Sequence, residues 1–198
     1  ILEREGRLME RIFNEYFQLS LSNAPRITSV SSGSKALEMM KTKRFDMVLL
    51  MLRIDEMNPF DLCLKIKELN RDLPVLLLLN DNSEIAILKK RGPRSDVFDK
   101  IFVWNGDPKI FVAMIKYVED QLNVDNDTRI GLVRVILLVE DSIRYYSRYL
   151  PILYTEIIRQ TQELITGIEG ILDDKYKLLR MRTRPKVLMV NNHQRALE

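Results

Sequence analysis

The residues best suited to chemistry are Glu140 and Asp141, two adjacent acids that end the apolar run VILLV at 135–139. A parallel strand buried on both faces is written as such a run, and ligands of open α/β sheets bind just past the carboxyl ends of the strands. Two carboxylates there would seat a hard cation such as Mg²⁺, which takes oxygen ligands. The plainer reading is a strand followed by a solvated acidic turn. A second cluster is basic: Lys175, Lys177, Arg180, Arg182, Arg184 and Lys186, with no acid among them. An extended backbone would place Arg180, Arg182 and Arg184 on one face, as a patch for anions or an acidic partner. The alternative is a solvated approach to the next strand. Cys63 sits in an apolar helical pattern and reads as a small core residue, and His193 reads as an exposed turn or first-turn residue. No GxxxxGK, GxGxxG, CxxC or HExxH is present, and a single His offers no Ser-His-Asp constellation.

The elements that must position these residues follow from hydrophobic periodicity. Residues 1–20 read as a helix through Leu8, Met9, Ile12, Phe13, Tyr16 and Phe17. Strands are expected at 27–30, 46–52, 74–79 and 100–104, and helices at 34–43, 59–70, 83–90 and 107–122. The last of these carries an inner stripe of Phe111, Met114, Ile115, Val118 and Leu122. The polar, Gly-containing segment NVDNDTRIGLV at 123–133 reads as a linker. A second βα unit follows, with its strand at 135–139, a long helix over about 144–166 containing Pro151, and a strand at 186–190. Tyr145, Tyr146, Tyr149 and Tyr154 cluster at the start of that helix and read as an interface or core patch. Strands alternating with helices predict an α/β fold, a parallel sheet wound on both faces.

Two stretches carry a family resemblance. VILLVEDS at 135–142 resembles the opening of a response-regulator receiver domain, and FDMVLLMLRIDEMNPFDL at 45–62 resembles its third strand and the loop beyond. The resemblance implies a flavodoxin-like doubly wound sheet of order 2-1-3-4-5. It also implies Mg²⁺ at Glu140 and Asp141 once the second domain is complete, with no other cofactor. In the family register Met51 stands at the phosphoacceptor Asp, Leu79 at the Ser/Thr of strand four, and Trp104 at the Lys of strand five. None of the three can accept, hydrogen-bond through its side chain to, or pair with a phosphoryl group in the required way. Arg53 and Met57 match their family counterparts, while Asp55 and Glu56 replace the usual Pro-Gly; Asp55 is a weak substitute nucleophile. The first domain thus resembles a pseudo-receiver. The runs RYYSRYLPILYTEIIRQTQELI (144–165) and KLLRMRTRPKVLMV (177–190) are similar to receiver-type segments of bacterial proteins resembling phosphoenolpyruvate synthase and pyruvate phosphate dikinase.

The expected organisation is a receiver-like domain at 1–122 without its first strand, a linker at 123–133, and the first half of a second receiver-like domain at 134–198. In the order 2-1-3-4-5 the first strand is central, so its slot must be filled. The strand at 135–139 is a candidate, in cis or exchanged between two copies, which adds a homodimer or domain swap to the expected protein partners. The composition, 46% hydrophobic and 30% charged over 198 residues, is that of a folded domain. A net charge of +3 does not by itself argue for nucleic acid, and no apolar run reaches membrane-spanning length. One cysteine fits a reducing cytoplasm. The function expected is a non-catalytic regulatory module acting by protein contacts. The alternative is a fragment of a phosphoenolpyruvate- or pyruvate-utilising phosphotransferase whose active site lies outside this chain.

Overall fold

The computed structural model describes residues 2–21, 24–54, 56–90, 96–166, 184–192, 194 and 196. In chain order the elements are α1 (Leu2–Gln18), α2 (Gly33–Thr42), β1 (Val48–Met51), α3 (Pro59–Leu69), β2 (Val75–Leu79), α4 (Ser83–Lys90), β3 (Lys100–Val103), α5 (Lys109–Gly131), β4 (Val135–Val139), α6 (Ile143–Thr166) and β5 (Lys186–Val190). They divide into two compact units, one of Ile1–Pro25 with Pro108–Glu198 and one of Arg26–Asp107.

The unit Arg26–Asp107 is built on a parallel sheet of order β1-β2-β3. Val48 aligns with Val75 and Met51 with Leu78; Leu76 aligns with Lys100 and Leu79 with Val103. The central strand VLLLL is buried at every position, which is what its unbroken apolar run demands of a strand covered on both faces. α3 begins where Asn58 Oδ1 accepts the Phe60 N–H at 3.0 Å and Pro59 takes the first turn, where no donor is needed. Its buried face is Phe60, Leu62, Cys63 and Ile66, and Phe60 meets Phe98 edge-to-face at 5.2 Å. Gly33 opens α2 where a Cβ would sit 3.1 Å from a Leu62 methyl, so a larger residue there would push on the Leu62 side chain of α3. Asp81 Oδ1 caps α4 by accepting the Ser83 N–H at 2.7 Å.

The unit formed by both chain ends holds α1, α5, α6 and a parallel pair β4-β5, in which Val135 aligns with Lys186 and Val139 with Val190. α1 packs against α5 through a stripe that buries Ile12 and Tyr16, while Phe13 and Phe17 face outward. α6 buries Tyr146, Leu150, Tyr154 and Ile158, and carries Pro151 within the helix. On β4, Val135, Leu137 and Val139 are exposed.

Several expectations are corrected. Residues 26–30 are irregular, with Ile27 and Val30 exposed, instead of forming a strand. A strand exists only through a neighbour's ladder, and the ladder of this unit has three members. Among the described residues β1, β2 and β3 pair consecutively, as strands three, four and five of the order 2-1-3-4-5 would, and β4 pairs with β5 in a sheet of its own. The linker at 123–133 is helical as far as Gly131, so a boundary at 122 is not where the contacts divide the chain. The polar side chains there bond back along the helix: Asn123 Nδ2 donates to the Glu119 carbonyl and Thr128 Oγ1 to that of Val124, each at 2.7 Å. Leu122, expected on the inner stripe of α5, is 61% exposed, and Asp120 takes the buried position.

Candidate functional site

The C-terminal tips of the three-stranded sheet gather the degenerate positions. Met51 ends β1 and is half-buried; Leu79 ends β2 and is fully buried. Trp104 follows β3, and its backbone N–H donates to the Leu79 carbonyl at 2.8 Å, which extends the ladder by one bond. The strand register therefore brings the three residues to neighbouring positions on one sheet edge. Their side chains are a thioether, a branched hydrocarbon and an indole, whose one polar group is the buried Nε1–H.

Beside these tips lies a polar contact the sequence did not disclose. Glu84, in the first turn of α4, is 1% exposed, yet its carboxylate accepts the Asn80 backbone N–H at 2.8 Å and pairs with the Arg53 guanidinium at 3.2 Å. Asn80 Nδ2 adds a longer bond at 3.3 Å. The loop after β1, the loop after β2 and the start of α4 are thus joined through one side chain. The carboxylate also faces the helix N-terminus, where the backbone dipole favours negative charge. Asp55 lies outside the described residues. Within α3, burial pushes the Cys63 thiol up to about 11; Lys67 pulls it down and Asp99 pushes it further up. Its S–H donates to the Val97 carbonyl at 3.2 Å, which identifies a core thiol and not a nucleophile.

In the other unit, Glu140 and Asp141 follow β4 directly. The Glu140 N–H donates to the Val190 carbonyl at 3.1 Å, so the acids do stand at the strand tips. Glu140 Oε1 accepts the Ser142 N–H at 2.9 Å and so helps to start α6, while Asp141 is exposed. Among the described residues no group of three His, Cys, Asp or Glu side chains could hold a metal.

Of the basic cluster, Arg184 and Lys186 fall among the described residues. Arg180 and Arg182 lie outside the described residues, as do Lys175, Lys177 and His193. Arg184 is 5% exposed and grips Asp120 with both terminal nitrogens, at 2.7 and 3.1 Å. Asp120 is wholly buried; it also accepts the Tyr154 hydroxyl at 3.2 Å and the Val187 N–H at 2.8 Å. Lys186 approaches Asp120 at 3.9 Å and pairs with Asp127 at 2.7 Å. Arg184 lies over the Tyr154 ring, 5.6 Å from its centroid, and burial together with the Asp120 charge drives the Tyr154 phenol far above its ordinary range. Arg184 is therefore spent inside the protein, and what sequence reasoning missed was its partner. The one available signal was that Asp120 falls at helical spacing with Ala113 and Tyr117, both buried. The tyrosine group divides: Tyr146 and Tyr154 are buried, while Tyr145 and Tyr149 are exposed and stack at 6.2 Å.

Among the described residues no helix is long and apolar enough to cross a membrane. No curated protein matches the chain. Residues 5–92, which run from α1 through α4, match the model of the response regulator receiver domain, so this part of the chain is similar to a signalling module of α/β flavodoxin-like type.

Proposed function

We propose that the chain is a regulatory module whose receiver-like part has lost phosphoacceptor chemistry and acts through fixed protein contacts, in a phosphorelay or on an attached enzyme. The observation that carries this reading is the apolar trio Met51, Leu79 and Trp104 on adjacent strand tips, where phosphoryl transfer needs a nucleophile, a donor and a cation. The Arg53–Glu84 contact supports it, since it ties the β1 and β2 loops to α4 without any ligand. In the other unit, Glu140 and Asp141 would hold a weakly bound Mg²⁺, which would neutralise phosphoryl oxygens if a phosphoacceptor joined them.

Incubation with acetyl phosphate and Mg²⁺ tests the reading. The expected result is no acid-labile phosphate within residues 45–61, and phosphate mapped there overturns it. In the same sample Mn²⁺ should broaden the amide resonances of Glu140–Ser142 only at millimolar concentration, as befits two carboxylates that retain water. Absence of broadening at those amides would remove the metal from the proposal and leave the rest standing.

A further inference from the structure

We propose that the buried Asp120 network is a register key: it fixes which residues of β5 lie opposite which residues of β4, and the two strands would remain paired without it. The reasoning begins with the strands. VILLV and the VLMV of β5 are apolar on both faces. In most half-buried strands a slip of one residue is forbidden because it turns polar side chains inward. Here such a slip sets hydrocarbon against hydrocarbon, so hydrophobic pattern leaves the register weakly specified. The observed register nevertheless puts Val187 and Met189 inside, at 0% and 7% exposure, with Leu188 and Val190 only half-buried.

The polar contacts supply the missing specification. They act on Arg184, Lys186 and Val187, just before and at the start of β5, and are anchored on helices. The Asp120 carboxylate, on α5, accepts the Val187 backbone N–H, a bond only one register satisfies. It grips Arg184, two residues before the strand, while Asp127, two helical turns further along α5, takes Lys186. Tyr154, on α6, donates to the same carboxylate and fixes its orientation. Buried ion pairs of this kind add little net stability over an apolar replacement, because desolvation offsets the attraction; setting register is their best-attested use. The consequence reaches the strand tips. A slip of one residue would move Val190 and Asn191 by about 3.3 Å along Glu140, and the Glu140 N–H to Val190 carbonyl bond would be lost. The inference does not depend on any metal binding there.

The test uses two double variants of the full chain, read by NMR through the amide resonances of 135–139 and 186–190 and the contacts between the strands. Asp120→Leu with Arg184→Met removes the key with apolar groups. It should stay folded, and a second set of strand resonances should appear, with Leu137 facing a neighbour of Leu188. Asp120→Asn with Arg184→Gln keeps an acceptor for the Val187 N–H and should show one set, as the unaltered chain does. A single set with unchanged strand contacts in the apolar variant overturns the proposal. So does failure of the apolar variant to fold while the amide variant folds, because the charges then supply stability and not register.

Discussion

At the scale of the residue, the unit Arg26–Asp107 illustrates how burial decides what a side chain can do. Glu84 and Arg53 form one ion pair, but Glu84 is 1% exposed and Arg53 has 76% of its side chain in solvent. The worth of the contact therefore lies in the Asn80 N–H that Glu84 satisfies, more than in the screened charge of Arg53. Cys63 gives a sharper case, because its thiol is pushed up from 9.0 to about 11, chiefly by burial. An acid whose pKa is raised in the folded state favours folding fully below its unfolded value, and that contribution is lost as pH climbs through the folded value. The margin in denaturant midpoint between the unaltered protein and Cys63→Ala should thus be constant up to about pH 9 and shrink from there toward pH 11. A margin that does not change between pH 8 and 10.5 would show that the native thiol ionises alongside the unfolded one and is not held up by burial. At pH 8 the native thiol should also react with disulfide reagents far more slowly than the unfolded one.

At the scale of the element, α5 shows where local sequence rules yield to cooperativity. Its C-terminal third, NVDNDTRIG, is rich in residues of low helix propensity, yet the helix runs to Gly131 because propagation from an established helix is easy and only nucleation is costly. It stops at Leu132, which adopts φ 50° and ψ 35°. The Val133 N–H reaches back to the Asp127 carbonyl, so a left-handed residue closes the helix. Leucine bears that conformation at a cost of roughly 1–2 kcal/mol, and at 85% exposure it buries little in return. Leu132→Gly should therefore stabilise the protein by about 1 kcal/mol. Slower amide exchange at Val133 and a higher melting temperature would register the gain, and a lower melting temperature would show that Leu132 makes a contact the fold relies on. The same contrast explains what was legible beforehand. α4 begins, and β5 begins and ends, where their sequence signals do, since SE at 83–84 and the Lys-to-Asn bounds of KVLMVN are local marks. The strand at 27–30 was misjudged because pairing is a property of a neighbour, not of the four residues themselves. The site was legible in the same uneven way: Met51, Leu79 and Trp104 follow from strand register. Arg184 and Asp120, by contrast, are 64 positions apart in sequence and meet only through tertiary packing.

At the scale of the whole molecule, the two ways of dividing the chain disagree about α1. The receiver-domain match runs through residues 5–92 and so groups α1 with β1, β2 and the helices between them. Compactness groups it instead with α5, α6, β4 and β5. The contacts favour the second grouping: α1 packs on α5, and the Gln162 side chain amide donates to the Leu19 carbonyl at the end of α1. Ile12, Tyr16 and Leu19 are 3%, 2% and 7% exposed. Burying side chains of that size contributes about 1.5–3 kcal/mol each, as an upper bound against a compact denatured state. Removal of residues 1–25 should then loosen α5 by several kcal/mol, enough to speed amide exchange at 117–121 by about a hundredfold or more. Amides of Val75–Leu79, in the centre of the other unit's sheet, should change by less than about tenfold, since none of the strand-pairing bonds that protect them comes from residues 1–25. Hydrogen exchange read by mass spectrometry on the full chain and on 26–198 compares the two directly. Equal loss of protection in α5 and β2 would place α1 energetically with the sheet, as the family match does, and would dissolve the division into two units.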